Sequence, residues 1–196
     1  MPEPQLPSLA ERKRIANRGR IAFAAATLVA DNGLAGTTVE RIAETAEVGR
    51  ATFFRYFSSK EAAVAEGISH QWLNRITEAL AGQPEHLSAE AALLAAFGEL
   101  ADGFTAIDDQ VRDLATLTRN SPTLSAWTLQ VYVGYETAIA ELLAPRFGDL
   151  LPDDPRPRLL GALAMASVRM ALDDWLVHGG SLPERVHRAL SAVTVR

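Results

Sequence analysis

Apolar residues recur at helical spacing along the whole chain, and nowhere do β-branched residues alternate over the length of a strand. That periodicity constrains the fold more than any other feature: it predicts an all-α protein. Between about Ser8 and Asn32 the apolar positions are Ile15, Ile21, Ala22, Ala25, Leu28 and Val29, and Asn32-Gly33 ends the run. Thr37 or Thr38 then offers an N-cap to a short stripe of Val39, Ile42, Ala43 and Ala46. Gly49 punctuates, a second short helix spans 51–57, and Ser58 or Ser59 caps a fourth helix from Lys60 to about Leu80. The polar stretch 82–86 separates these from a second group, read as helices over 88–106, 109–119, 122–147, 155–178 and 182–194. Pro2, Pro4 and Pro7 prevent a regular element at the start, which reads as a frayed arm.

A chain of 196 residues, 48% hydrophobic and 22% charged, has the composition of a globular protein with a sizeable core. No stretch approaches the roughly 18 consecutive apolar residues of a membrane span, and the first twenty residues lack the apolar centre of a secretory signal. With no cysteine there are no disulfides, thiol nucleophiles or thiolate metal sites. The expected location is cytoplasmic, with no membrane partner.

The net charge of −5 hides an asymmetry. Through Lys60 there are nine basic and six acidic residues, a net +3, whereas the remainder carries −8. A basic end on an acidic protein suggests one part that faces nucleic acid and another that faces different partners.

Enzymatic readings find little support. His70, His86, His178 and His187 are isolated and lack i,i+4 partners. Asp108-Asp109 and Asp153-Asp154 fall in caps and loops, and the adjacent Asp173 and Asp174 do not converge on one point of a helix. There is no GxSxG, no phosphate-cradling glycine loop and no paired nucleophile and base. No catalytic residue, metal or cofactor is expected.

Residues 38–57, TVERIAETAEVGRATFFRYF, are the most informative stretch. A short amphipathic helix, a tight turn and a second short helix make a helix-turn-helix, which lays its second helix in the DNA major groove. Ala43 is small enough for a helix crossing, Val48 is placed to plug the space between the helices, and Gly49 is read as tolerating the turn's backbone. Phe53 and Phe57, four apart, give the second helix a buried face. Arg50, Ala51, Thr52, Arg55 and Tyr56 are left pointing outward. Guanidinium forks, a methyl and hydroxyls are what a reader of base edges and phosphates needs.

Thr38-Val39-Glu40-Arg41-Ile42-Ala43, then Val48 through Phe57, then Ser59-Lys60-Glu61 resemble the DNA-binding segment of TetR-family transcriptional regulators. The resemblance covers about residues 12–65 and continues beyond only as a general helix layout. It implies an N-terminal three-helix helix-turn-helix domain, set here at 1–59, and a C-terminal helical ligand-binding and dimerisation domain at 60–196. It also implies a homodimer on a double-stranded, pseudo-palindromic operator, released by an unidentified small-molecule effector. By the same resemblance Arg50, Ala51 and Thr52 read bases, Arg55 meets a base or phosphate, and Thr38, Tyr56 and Lys60 contact phosphates. Two departures stand out: Phe54 replaces a usual Tyr, exchanging a phosphate hydrogen bond for apolar contact, and Gly49 replaces a polar cap. The rival reading is an architectural DNA-binding dimer that does not switch.

In the C-terminal part the large side chains available to a pocket are Phe97, Phe104, Trp127, Tyr132, Tyr135, Met165 and Trp175. Arg169 joins them as a pocket candidate, although with Asp173 it reads first as an ordinary i,i+4 ion pair. The helix over 155–178 is apolar almost all round, with Leu159, Leu163, Ala166 and Met170 on one side and Leu160, Ala164, Ala171 and Trp175 on another. One side must pack within the subunit and the other against a partner. The second side, together with Val168, is assigned to the dimer seam. The last helix, with Leu182, Val186, Leu190 and Val193, is read as its companion in an isologous four-helix interface.

Overall fold

A computed structural model describes residues 8–195, so the proline-bearing arm lies outside the described residues. Every regular element in them is helical. Helix α1 (Leu9–Gly36) opens on a capping box: Ser8 Oγ accepts from the Glu11 amide, and the Glu11 carboxylate accepts from the Ser8 amide. Gly33, at φ 69° and ψ 169°, leaves the helical conformation, so the regular run breaks at Asn32-Gly33 as the sequence indicates and a short turn continues beyond the kink to Gly36. Ile15, expected on the inner stripe, is exposed, as is Phe23.

Helices α2 (Val39–Thr45), α3 (Arg50–Tyr56) and α4 (Lys60–Ala81) follow. Ile21, Ala22, Ala25, Ile42, Ala43, Phe53 and Phe57 close a first core, to which the first turns of α4 add Ala63 and Val64. Gly67 is the contact point between α4 and α1: a Cβ there would lie 2.0 Å from the Ala22 carbonyl oxygen. The chain divides into two compact units between His70 and Gln71, inside α4.

The second unit contains α5 (Ala89–Ala101), α6 (Asp108–Asn120), α7 (Pro122–Leu143), α8 (Arg156–His178) and α9 (Leu182–Leu190). Three expected helices are shorter than read, among them the last, read to 194, which ends at Leu190. Gly103, at φ 78°, ends the 88–106 run and leaves a 3-10 turn over Phe104–Ala106. Pro145, which has no N–H to give, sits in the 3-10 turn Ala144–Arg146 that finishes α7. The core joins Leu93, Ile139, Leu143, Leu160, Ala164, Met165 and Trp175. Gly161 lets α8 approach α7 closely, since a Cβ there would lie 2.4 Å from the Glu136 carbonyl oxygen.

The faces of α8 are the reverse of the sequence expectation. Leu160, Ala164, Ala171 and Trp175 are buried within the chain itself, and Val168 packs half-buried against the same core. Leu159, Leu163, Met170 and Val177 stay exposed. Helix α9 likewise turns Leu182, Val186 and Leu190 into its own unit. The seam assignment to the Ala164–Val168–Ala171 face is therefore corrected. Periodicity shows that α8 has two apolar faces, but only the packed chain shows which one it covers by itself. The expected Arg169–Asp173 pair also gives way: Asp173 instead takes Arg119 of α6 at 2.6 Å.

Candidate nucleic-acid interface

The reading helix is set by its neighbours. Thr38 caps α2, its Oγ1 accepting from the Arg41 amide at 3.3 Å, while Thr37 is buried and donates to the Gly33 carbonyl at 2.9 Å. After Ala46 the chain turns at Glu47, which carries the left-handed φ of 52°. Gly49, read from the sequence as the residue that the turn strains, has an ordinary φ of −73° and serves as the N-cap of α3. Nothing lies within 4 Å of where its Cβ would be. The turn's conformational demand thus falls two residues earlier than expected. Val48 closes the turn, its amide donating to the Ala43 carbonyl at 2.9 Å, and packs half-buried against the core.

Phe53 and Phe57 anchor α3, with ring centroids 5.9 Å apart and both side chains buried. Arg50, Ala51, Phe54 and Arg55 are exposed to solvent, and Thr52 and Tyr56 are half-buried. Arg50 is not free. Its Nε lies 3.2 Å from Glu40 Oε1 on α2, and its guanidinium sits 5.4 Å from the Phe54 ring centroid. Both side chains of that ion pair are about two-thirds exposed, at 68% and 64%, so the pair contributes little and a phosphate or guanine can displace it. Arg55 lies 5.4 Å from the centre of the Tyr56 ring. Tyr56 accepts a hydrogen bond from Asn17 Nδ2, which holds its phenol below the usual tyrosine range, assisted by nearby Arg55 and opposed by burial.

Two groups have roles that sequence reasoning missed. Arg18 of α1 forks onto Glu66 of α4, donates Nη1 to the Tyr56 carbonyl at 3.2 Å, and stacks 4.7 Å over the Phe57 ring. One guanidinium thereby ties α1, α4 and the end of α3. No local signal could have exposed it, because its carboxylate partner is 48 residues away. Lys60, expected at a phosphate, spends two of its three donors inside the protein, on the Leu34 and Thr37 carbonyls at 2.8 Å each. It joins the end of α1 to the start of α2, and so positions the helix-turn-helix. Lys60→Met is expected to lower the melting temperature, since hydrogen bonds to a charged donor are worth about 1.5–3 kcal/mol. An unchanged melting curve with a salt slope of DNA binding reduced by about one unit would make Lys60 a phosphate contact instead.

The pocket candidates separate in the second unit. Tyr135, Met165 and Trp175 are buried core, and Phe97, Phe104 and Tyr132 pack half-buried against it. Tyr132 and Tyr135 lie 6.3 Å apart between ring centroids, and burial raises the Tyr132 phenol above its usual range. Trp127 is half-buried about two turns before Tyr135 on α7, and Arg169 is exposed on α8.

The first unit has the layout of a helix-turn-helix, with Phe53 of α3 buried and Arg50, Ala51, Phe54 and Arg55 exposed, and a second helical unit follows it. The comparisons agree. Residues 21–66 match the family described as bacterial regulatory proteins, tetR family, and residues 87–196 match the MftR C-terminal domain. The chain is 33% identical over 177 residues to the HTH-type transcriptional regulator TcmR of Streptomyces glaucescens, covering 88% of this chain and 78% of that protein. The crystal structure of Thermus thermophilus FadR, a TetR-family transcriptional repressor in complex with lauroyl-CoA, matches with a TM-score of 0.64 and 26% identity. That match covers 91% of this chain and 96% of FadR. A TetR transcriptional regulator from Rhodococcus sp. RHA1 shares the fold, with a TM-score of 0.62 at 18% identity over 91% and 96% of the two chains. The chain belongs to the TetR family of DNA-binding transcriptional regulators, a class without enzymatic activity. Among the described residues no helix is long and apolar enough to cross a membrane.

Proposed function

We propose that the protein is a repressor that binds a pseudo-palindromic operator as a homodimer and is released by a small molecule held in its second unit. The observation that carries the DNA side is the solvent-exposed set on α3, whose Phe53 is buried. Arg50, Ala51 and Thr52 read base edges, and Phe54 meets a sugar or a thymine methyl. Arg55 takes a base or a phosphate, and Thr38 and Tyr56 take phosphates. The unit that ends at His70 reads DNA, and the unit that begins at Gln71 serves the effector and the dimer. Two reading heads about 34–36 Å apart match one turn of duplex. The dimer forms through the exposed apolar stripes of α7 and α8, Leu129 and Val133 on one and Leu159, Leu163, Met170 and Val177 on the other.

The effector side draws on FadR, which was solved with lauroyl-CoA, and on the large side chains Phe97, Phe104, Tyr132, Tyr135, Met165 and Trp175 that gather in and against the core of the second unit. Release requires the effector to bind a conformer with another head separation more tightly, because differential affinity is all that can shift the equilibrium. Such a regulator acts in the cytoplasm. Selection of bound sequences from random DNA, followed by footprinting, tests the reading: a two-fold symmetric site is expected, and absence of any preferred sequence would refute it. On that site Arg50→Ala is expected to weaken binding by about 1–3 kcal/mol, with a smaller loss on random DNA. Equal losses on both would make Arg50 a phosphate contact.

A further inference from the structure

The arginines of the second unit distinguish one site. Five are half-buried: Arg112, Arg119, Arg146, Arg156 and Arg185. Four spend their donors on the protein. Arg119 takes Asp173, Arg146 takes the Gln83 and Pro84 carbonyls, Arg156 takes Asp149 and Asp154, and Arg185 takes the Gly179 carbonyl. Arg112 lies instead over the face of Trp175, 3.9 Å from the ring centroid. Among the described residues no carboxylate comes within 4.0 Å of it, although Asp108, Asp109 and Asp113 share its helix.

The platform beneath it is rigid. Trp175 is fully buried, its Nε1 donates to the Gly180 carbonyl at 2.9 Å, and Phe104 meets it edge-on at 6.1 Å. A guanidinium held over an indole has its N–H donors in its own plane, and those not turned to the ring can bind two anionic oxygens side by side. Partial removal from water strengthens that contact, and half-buried Phe104 beside the indole offers an apolar surface.

We propose that Arg112 is the anchor of an anion-binding site in the second unit, and that the effector is an organic anion. Its carboxylate or phosphate pairs with Arg112, which the buried Trp175 holds from below, and its apolar part lies against half-buried Phe104. The proposal rests on the ligand-responsive reading above and narrows it to a chemical class.

Two dyes of nearly one shape test it: the anionic 8-anilinonaphthalene-1-sulfonate and its neutral parent N-phenyl-1-naphthylamine. The full-length protein is expected to bind both, the sulfonate more tightly. Arg112→Met is expected to weaken the sulfonate about tenfold or more while leaving the neutral dye unchanged. Arg112→Lys, which keeps the charge but not the fork, is expected to fall between. Displacement of the sulfonate by decanoate or by decyl phosphate, and not by decanol, assigns the anion's source. If Arg112→Met leaves sulfonate binding intact, or weakens both dyes alike, the anion site is overturned while ligand binding stands. If neither dye binds the unmodified protein, the ligand-responsive reading itself fails, and this site with it.

Discussion

Gly67→Ala is expected to unfold the DNA-binding unit and abolish operator binding. The added methyl would lie 2.0 Å from the Ala22 carbonyl oxygen and 2.9 Å from the Ala26 Cβ, so a helix backbone rather than a flexible side chain would have to retreat. Overpacking against side chains costs about 1–3 kcal/mol, and a rigid backbone oxygen puts the cost at or above the top of that range. A folded unit of this size has only about 3–9 kcal/mol to lose. Gly98→Ala, at an α5 glycine with nothing within 4 Å of its would-be Cβ, is the control. It should be neutral or stabilising by up to about 1 kcal/mol. Circular dichroism melting and operator titration of the two variants provide the measurement. A Gly67→Ala protein that melts and binds DNA as the parent does would show that α1 and α4 are not packed this closely.

Met170→Glu is expected to give folded monomers with steeply reduced operator affinity. Met170 is 58% exposed in the single chain, so a carboxylate there costs the subunit almost nothing. In a two-fold interface the same change buries an unpaired charge on both subunits. The expected cost is about 4 kcal/mol per dimer, roughly a thousandfold in the dissociation constant. A monomer engages only one half-site, so DNA binding falls although α3 is untouched. Val168→Glu makes the informative contrast, because Val168 packs against the core of its own chain and its replacement should unfold the second unit. Sedimentation velocity and circular dichroism separate the two behaviours. A Met170→Glu protein that sediments as the parent dimer and binds the operator normally would remove the exposed α8 stripe from the seam.

The helical class, the turn between two short helices, and the exposed residues of α3 were legible in the sequence. All of these depend on neighbours within a few residues. Phe53 and Phe57 are four apart and must share a face, so Ala51 and Arg55, on the opposite side of the helix, must point away from it, whatever the rest of the chain does. The caps of α2 and α4 were legible to within one residue, as Thr37 or Thr38 and Ser58 or Ser59, since Thr38 and Ser59 each bond an amide three residues on. Features that depend on distant residues were not legible. Nothing near Lys60 announces that its ammonium will meet carbonyls 23 and 26 residues back, nor does anything near Arg18 announce Glu66. Helix α8 states the limit most plainly. Its composition shows two apolar faces of nearly equal strength, and hydrophobicity has no direction. Only the close approach of α7 at Gly161 decides that Leu160, Ala164 and Trp175 turn inward and that Leu163 and Met170 remain outside. The Arg112–Trp175 stack is of the same kind, because it exists only where α6 and α8 meet.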